Sequence, residues 1–219
     1  MKKLLSILLS LFLIGCAGNI ILPSKPLVNE SIKSIYHASV SIIDGLEDVH
    51  GSGVIIYNRA GYKMVVLTAA HVVTYMQKAG ILIRVLLPYK AGWKAMVLKK
   101  IDIKKDLALL EGIENEKLNG PEVKIAEQYP HIGDRVTVIG APMGHSGTVT
   151  KGILANIQQL GSHIYYRVSA PVFFGNSGGG CFNKSGELIG IAHAIQSFGF
   201  TYVPGAGFFI PLEEIKKFL

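Results

Sequence analysis

The sequence predicts an all-β protein: two β-barrels in tandem, followed by a short C-terminal helix. Three observations carry that expectation. Short runs rich in Val, Ile, Leu and Tyr recur at roughly the 8–12-residue spacing of barrels and sandwiches, and they fall into two sets of six divided by a polar stretch at 114–128. Glycine supplies 25 of the 219 residues with no collagen-like period, an excess over the usual ~7% that asks for many turns. The chain is 49% hydrophobic and 17% charged. Against an average near ~25% charge it is lean, so it can bury a sizeable core and is not disordered in bulk.

The first expected set of strands is 38–43, 53–57, 64–68, 81–87, 94–101 and 107–110. The second is 135–140, 148–157, 164–169, 180–182, 188–194 and 207–210. Barrel one then occupies about 35–113, the connector 114–128 and barrel two about 129–211. No long amphipathic helix interrupts either half. The exception is 212–219, where Leu212, Ile215, Phe218 and Leu219 share one face, as a docking helix requires.

The N-terminus reads as an export segment. Lys2 and Lys3 precede a small and apolar run from Leu4 to Ile14, then Gly15 and Cys16, the anatomy of a signal peptide over residues 1–15. Leu13-Ile14-Gly15-Cys16 resembles a bacterial lipobox, which implies that Cys16 is lipidated and becomes the first mature residue, with 16–34 as a tether. The plainer alternative, an uncleaved anchor helix running to Leu22, is interrupted by Gly15, Gly18 and Asn19. Either reading places the protein outside the cytoplasm, held at a membrane.

Removing 1–15 takes two lysines and no acid from the formal +7, leaving +5. Lys99, Lys100, Lys104 and Lys105 concentrate four positive charges in one short segment. Contact with anionic headgroups would use such a run; a solvated loop face is the simpler reading. No aromatic-interleaved basic stripe accompanies it, so nucleic acid is not an expected partner.

Three segments carry chemistry. Gly51-Ser52-Gly53 leads towards Thr68-Ala69-Ala70-His71; Asp106 opens Asp106-Leu107-Ala108-Leu109-Leu110; Ser177 sits in Gly175-Asn176-Ser177-Gly178-Gly179-Gly180. In chain order this is His, Asp, Ser, one of the known orders of the hydrolytic triad. That chemistry needs a hydroxyl, an imidazole to take its proton and a carboxylate to fix the tautomer. Glycines around Ser177 let the backbone turn so that the N–H groups of Gly175 and Ser177 can face a developing oxyanion. Taken singly, His71 reads as structural, Asp106 as a strand-edge acid with Asp102 as a rival, and the glycine loop as a tight turn. Taken together, in order, they read as a site.

From about Ser39 to Leu212 the chain resembles the trypsin-like serine proteases, and within them the HtrA/Deg-type bacterial branch. Gly51-Ser-Gly-Val, Thr68-Ala-Ala-His-Val-Val, Asp106-Leu-Ala-Leu-Leu, Gly175-Asn-Ser-Gly-Gly and Gly186-Glu-Leu-Ile-Gly-Ile carry the likeness, joined by Ile139-Gly-Ala-Pro-Met-Gly. The resemblance implies a serine endopeptidase working through an acyl-enzyme on protein or peptide substrates. It places the site in the cleft between barrels, with His71 and Asp106 from the first and Ser177 from the second. Several features depart from the pattern. Relatives usually carry a C-terminal peptide-binding PDZ domain, and with the sequence ending at Leu219 regulation through one is not expected. Asn176 stands where animal digestive members have Asp, so activation by a new N-terminus is not expected. Gly180 replaces the usual Pro or Ala, and no Cys flanks His71, which leaves Cys181 as a lone, buried core thiol.

Two other readings compete. A nucleophile elbow also fits around Ser177, but that fold needs Ser, then an acid, then His, and only Glu187 and His193 are available. A silent protease-fold lipoprotein acting as a binding module is the non-enzymatic alternative. No cofactor is expected, and no metal, because the seven histidines are scattered without ligand-like spacing. The sequence does not indicate an oligomeric state.

In the fold that the resemblance implies, the pocket for the residue before the scissile bond is walled by 171–174 and 192–195, with Pro171, Val172, Ala192 and His193 as its candidates. No acid lies in 169–174 to attract Arg or Lys. Alternation along a strand turns His193 to the face opposite Ala192, so its expected role is packing or hydrogen bonding behind the triad. What remains is an apolar pocket suited to Val, Ala, Ile or Leu.

Overall fold

The computed structural model describes residues 27–45, 48–57, 63–88, 92–113, 121–198 and 201–219. The expected signal segment, Cys16 and the tether up to residue 26 lie outside them.

The expected double barrel is what the chain forms. Barrel one comprises β1 (Ser39–Ile43), β2 (Val49–Tyr57), β3 (Val65–Ala69), β4 (Ile83–Leu86), β5 (Trp93–Asp102) and β6 (Leu107–Gly112), closed in the order β1-β2-β3-β6-β5-β4. Barrel two comprises β7 (Arg135–Gly140), β8 (Thr148–Leu160), β9 (His163–Val168), β10 (Gly180–Phe182), β11 (Leu188–Phe198) and β12 (Thr201–Pro211), closed as β10-β11-β12-β9-β8-β7. Closure removes the unpaired edges that an open antiparallel sheet would expose. Along β4 the inward residues Ile83 and Val85 alternate with the more exposed Arg84 and Leu86, the period-2 pattern of a half-buried strand. β1 is buried throughout. Its side chains also meet neighbouring segments: Ser39 Oγ donates to the Ile35 carbonyl, and Ser41 Oγ lies 2.6 Å from Ser146 Oγ of barrel two.

Three short α-helices stand among the described residues. α1 (Lys33–Ala38) enters barrel one, α2 (Ala70–Lys78) follows β3, and α3 (Leu212–Phe218) ends the chain. α3 buries Leu212, Ile215 and Phe218, as expected, whereas Leu219, expected on the same face, caps the helix and is exposed. α2 was not expected: the expected strand ended at Thr68 with no element assigned before residue 81, and the β-branched Val72 and Val73 weaken the local helix signal. Its buried Ala70, Val73 and Met76 nevertheless recur at i, i+3, i+6 and hold a helix against the core. β11 and β12 run well past their expected ends. Ser197, Pro204 and Gly205 disguise the hairpin in the sequence, and register shifts at 192/194 and 195/197 let it continue.

Residues 121–126 of the expected connector strap the barrels together. Val123 N–H donates to the Ile55 carbonyl of barrel one (2.9 Å), and Ala126 N–H to the Leu188 carbonyl of barrel two (3.0 Å). Both side chains are buried. The lysine run is largely engaged by its own domain. Lys99 lies 3.6 Å from Glu111 and Lys105 3.4 Å from Glu214, while Lys100 reaches the Phe218 carbonyl and ring.

Candidate active site

β3 delivers the chain to α2 so that His71 is the second residue of that helix, with its side chain 47% exposed. Asp106 ends the tight turn between β5 and β6. The rival acid, Asp102, serves that turn: its Oδ1 accepts the Lys105 N–H at 3.0 Å. Asp106 itself has φ +55, a conformation that non-glycine residues rarely adopt and that costs energy. The rest of the turn holds it there. The Asp106 carbonyl accepts the Ala70 N–H (3.0 Å), and Oδ1 accepts the His71 N–H (2.8 Å). Oδ2 then receives the His71 ring, Nδ1 to Oδ2 being 2.7 Å.

Burial alone would raise the Asp106 pKa. Hydrogen bonds from His193 and His71 together outweigh it and bring the carboxyl down to about 2. An ionised carboxylate only accepts, so His71 carries its proton on Nδ1 and leaves Nε2 as a free base.

Ser177 lies in a turn built by its neighbours. Gly175 has φ +95, and a Cβ there would run into the Ala141 carbonyl oxygen; Gly178 has φ +83, and a Cβ there would meet the Ser52 carbonyl. Only glycine fits either place. β11 anchors the loop, with Gly178 N–H donating to the Ala192 carbonyl and Ala192 N–H to the Gly179 carbonyl, both at 2.8 Å. The Phe174 carbonyl accepts the Met143 N–H (2.8 Å). In a trans peptide the N–H points opposite its carbonyl, so the Gly175 N–H is directed away from Met143. Met143 has φ +52, and with Asp106 it makes up the non-glycine positive-φ residues among those described. Backbone strain of this kind concentrates at functional sites.

His71 and Ser177 border one cleft of about 450 Å³. Val172, Ala192 and His193 line it as well, together with Phe173, Phe174 and Phe208. Pro171 is set outside this lining; it is exposed, and its carbonyl accepts the Thr150 hydroxyl at 2.9 Å. His193 does not turn away from the cleft. A β-bulge between Ala192 and Ala194 breaks the alternation, so Ala192 and His193 both face the cavity. The His193 ring meets Asp106 Oδ2 at 2.7 Å.

Residues 51–191 match the trypsin-like peptidase domain family. The chain belongs to that family. Over 173 residues this trypsin-like peptidase domain is 36% identical to the periplasmic serine endoprotease DegP of Salmonella typhimurium. It is 37% identical over 173 residues to a probable serine protease do-like protein of Buchnera aphidicola. Each match covers 76% of this chain and 34% of the relative, so the chain spans about a third of the length of the curated relatives it matches. The crystal structure of the serine endoprotease from Yersinia pestis is similar with a TM-score of 0.68 at 30% identity, covering 88% of this chain and 65% of that one.

Several parts of the trypsin-like peptidase site were not read from the sequence. Ser52 of β2 is fully buried and reaches across to the nucleophile loop. Its N–H donates to the Ser177 carbonyl and its Oγ to the Gly175 carbonyl, both at 2.7 Å, while the Oγ accepts the Ala141 N–H at 2.9 Å. Thr68 Oγ1 in turn donates to the Ser52 carbonyl (2.7 Å). The serine between two glycines was the available signal: a small hydroxyl residue where close backbone approach is needed. Cys181, as expected, is buried, and burial pushes its thiol up. His71, Asp106 and His193 bring three potential ligand atoms within 4.8 Å of one another. Two donors about 2.05 Å from one tetrahedral zinc would stand ~3.3 Å apart. The observed 2.7 Å separations are the length of hydrogen bonds.

Proposed function

We propose that this trypsin-like peptidase domain is a serine endopeptidase whose triad is His71, Asp106 and Ser177. The observation that carries the reading is the 2.7 Å bond from His71 Nδ1 to Asp106, with His71 bordering the same cleft as Ser177. Ser177 Oγ attacks the scissile carbonyl and passes its proton to His71 Nε2. The amide carbonyl becomes a tetrahedral oxyanion facing the N–H groups of Gly175 and Ser177. Collapse expels the amine, which takes the proton back from His71, and leaves an acyl-enzyme on Ser177. Water then repeats the sequence and releases the acid. Asp106 holds the imidazole in the right tautomer and balances the imidazolium that forms. Oxyanion donors of this kind are worth ~10²–10³ in kcat each. The openness of this hole is supported by the Phe174 carbonyl being engaged by Met143.

The cleft's apolar lining and its lack of an acid favour substrates with small or medium apolar side chains before the scissile bond. An apolar pocket of this sort discriminates by only ~1–3 kcal/mol per methylene, so tolerance is broad. The protein acts outside the cytoplasm, tethered through lipidated Cys16. Export is supported by the Lys2-Lys3 start and apolar run of the sequence and by the periplasmic relatives.

A fluorophosphonate probe tests the reading, since only an assembled nucleophile and base react. Stoichiometric labelling that disappears in Ser177→Ala is expected. An unlabelled wild type that binds peptides intact would overturn catalysis in favour of a binding module.

A further inference from the structure

His193 has no part in the reaction just derived, yet it is bonded to the residue that orients the base. Its Nδ1 and that of His71 lie 2.7 Å from the same Asp106 oxygen. The ring stacks on Tyr165, with centroids 5.0 Å apart and planes at 14°, and stands edge-on to His71 at 6.1 Å. These contacts fix where the imidazole sits, and the chemistry of its partner fixes its tautomer. A carboxylate can only accept, so both Nδ1 atoms donate. That leaves a lone pair on His193 Nε2 in a side chain that is 28% exposed and borders the cleft. The nitrogen can take a proton from water.

The two protonation states of His193 affect the reaction differently. When neutral, the ring donates to Asp106 and restrains the carboxylate, leaving its full negative charge to balance an imidazolium on His71. When protonated, it places a positive charge on the same oxygen, 6.1 Å from the ring that must accept the Ser177 proton. Like charges at that separation oppose proton transfer. We propose that His193 is a positioning residue for Asp106 and a proton-operated brake: the site turns over only when His193 and His71 are both neutral.

The groups facing His193 leave few other sources for such an effect. Its neighbours on β11, Ala192 and Ala194, carry no charge. α2 contributes His71, and the β5–β6 turn contributes Asp106. β9 contributes Tyr165, whose phenol is pushed up by burial and by the charge of Asp106 and stays neutral. On the same face of β9, two residues either side of Tyr165, stand His163, 6.3 Å from the Tyr165 ring, and Arg167, the register partner of Phe208, whose guanidinium keeps its charge throughout. β12 contributes the uncharged Phe208, edge-on to Tyr165.

The brake rests on the triad reading above, and its test separates the two. The measurement is log(kcat/KM) on an uncharged fluorogenic peptide between pH 4 and 9. In the wild type the acid limb should steepen towards a slope of two, because two protons stop the reaction. His193→Asn keeps an N–H donor for Asp106 but cannot ionise. Whatever it costs at the alkaline plateau, its acid limb, normalised to that plateau, should have slope one. Along the acid limb, with both profiles normalised to their alkaline plateaus, the variant should exceed wild type by up to the order of 10–100-fold, the effect of one charge at about 6 Å in a partly screened site. A wild-type slope of one, or a slope unchanged in His193→Asn, overturns the proposal. Should that variant fail to fold, imidazole ¹⁵N shifts of the wild-type protein decide. Two neutral Nδ1–H rings that both titrate are expected; a His193 in the Nε2–H tautomer, or one that keeps its charge state from pH 5 to 8, refutes it. Absent fluorophosphonate labelling would remove the triad and the brake together. Full labelling with a one-proton acid limb would remove the brake alone.

Discussion

Ser52→Ala deletes one oxygen from barrel one and should be felt at Ser177, the proposed nucleophile of barrel two. The hydroxyl is fully buried, donates to the Gly175 carbonyl and accepts the Ala141 N–H. Without it both groups lose this partner. A buried polar group left unsatisfied costs ~1–3 kcal/mol. The Ala141 bond is buried, whereas the Gly175 carbonyl is partly exposed and takes the lower end, for about 2–3 kcal/mol together. At ~2–4 °C per kcal/mol for a domain of this size, Tm should fall by roughly 4–12 °C in calorimetry. Activity should fall further than stability explains. The Gly175 carbonyl is the grip that barrel one has on the peptide following the oxyanion donor, and losing one such donor outright costs ~10²–10³. A looser donor should cost kcat on the order of 10-fold with KM little changed, measured by active-site titration below the new Tm. A Tm within one degree of wild type would refute the satisfaction argument. A lowered Tm with unchanged kcat would refute the positioning argument.

Gly175→Ala forces φ +95 on a residue with a Cβ aimed at the Ala141 oxygen, so fluorophosphonate labelling should slow at least ~100-fold while circular dichroism still reports a folded β-protein; labelling at the wild-type rate would sink the oxyanion assignment. Asp106 has its carboxyl held low, at about 2, so it stabilises the fold above about pH 4 and that contribution is lost as pH falls through 2. Asp106→Asn should therefore flatten the acid limb of Tm against pH, by about 1–2 kcal/mol after solvent screening, and lower kcat by ~10⁴ through the wrong tautomer; parallel Tm curves would count against it. Cys16→Ser should abolish incorporation of labelled palmitate, and unchanged incorporation would exclude Cys16 as the lipidated residue.

The barrels were legible because their strands are short, branched and separated by turn residues, a pattern that depends on local chemistry alone. α2 was not, since Val72 and Val73 favour strands locally and only burial of Val73 with Met76 makes a helix worthwhile. The residues that could form a triad were legible because the hydroxyl, imidazole and carboxylate stood in a known order among glycines. Their latch was harder to see. Ser52 precedes Ser177 by 125 residues, and nothing near it in the sequence states that its hydroxyl bridges Gly175 and Ala141. The hydrogen bond expected of His193 behind the triad is made, to Asp106, but the direction its side chain faces was misread for a related reason. Alternation is a rule for regular strands, and the bulge that cancels it arises from pairing between β11 and β12, which the β11 sequence alone does not encode.

The division of the candidate site between barrels makes its geometry a readout of how the barrels dock. Barrel one supplies His71 and Asp106, and barrel two supplies Ser177, His193 and the strained Met143. Ser52 holds the Ser177 loop at two points and the Ala141 N–H just after β7 at a third, and His193 reaches back from barrel two to Asp106. Two non-glycine residues in the left-handed region, one on each barrel, cost ~1–3 kcal/mol apiece and persist only where surroundings over-determine them. Asp106 is held by α2 and by His193, and Met143 by the Phe174 carbonyl of the loop that Ser52 restrains. A shift of one barrel against the other would release both holds together, before the strand pairing within either barrel is lost. Catalytic competence should thus be lost at milder denaturant than the β-sheet signal, with the interval between them widened by Ser52→Ala. The hydrogen bonds that cross between the barrels set the site, and they do so over a core that itself continues from barrel one into barrel two at Ile139, Phe182 and Ile191.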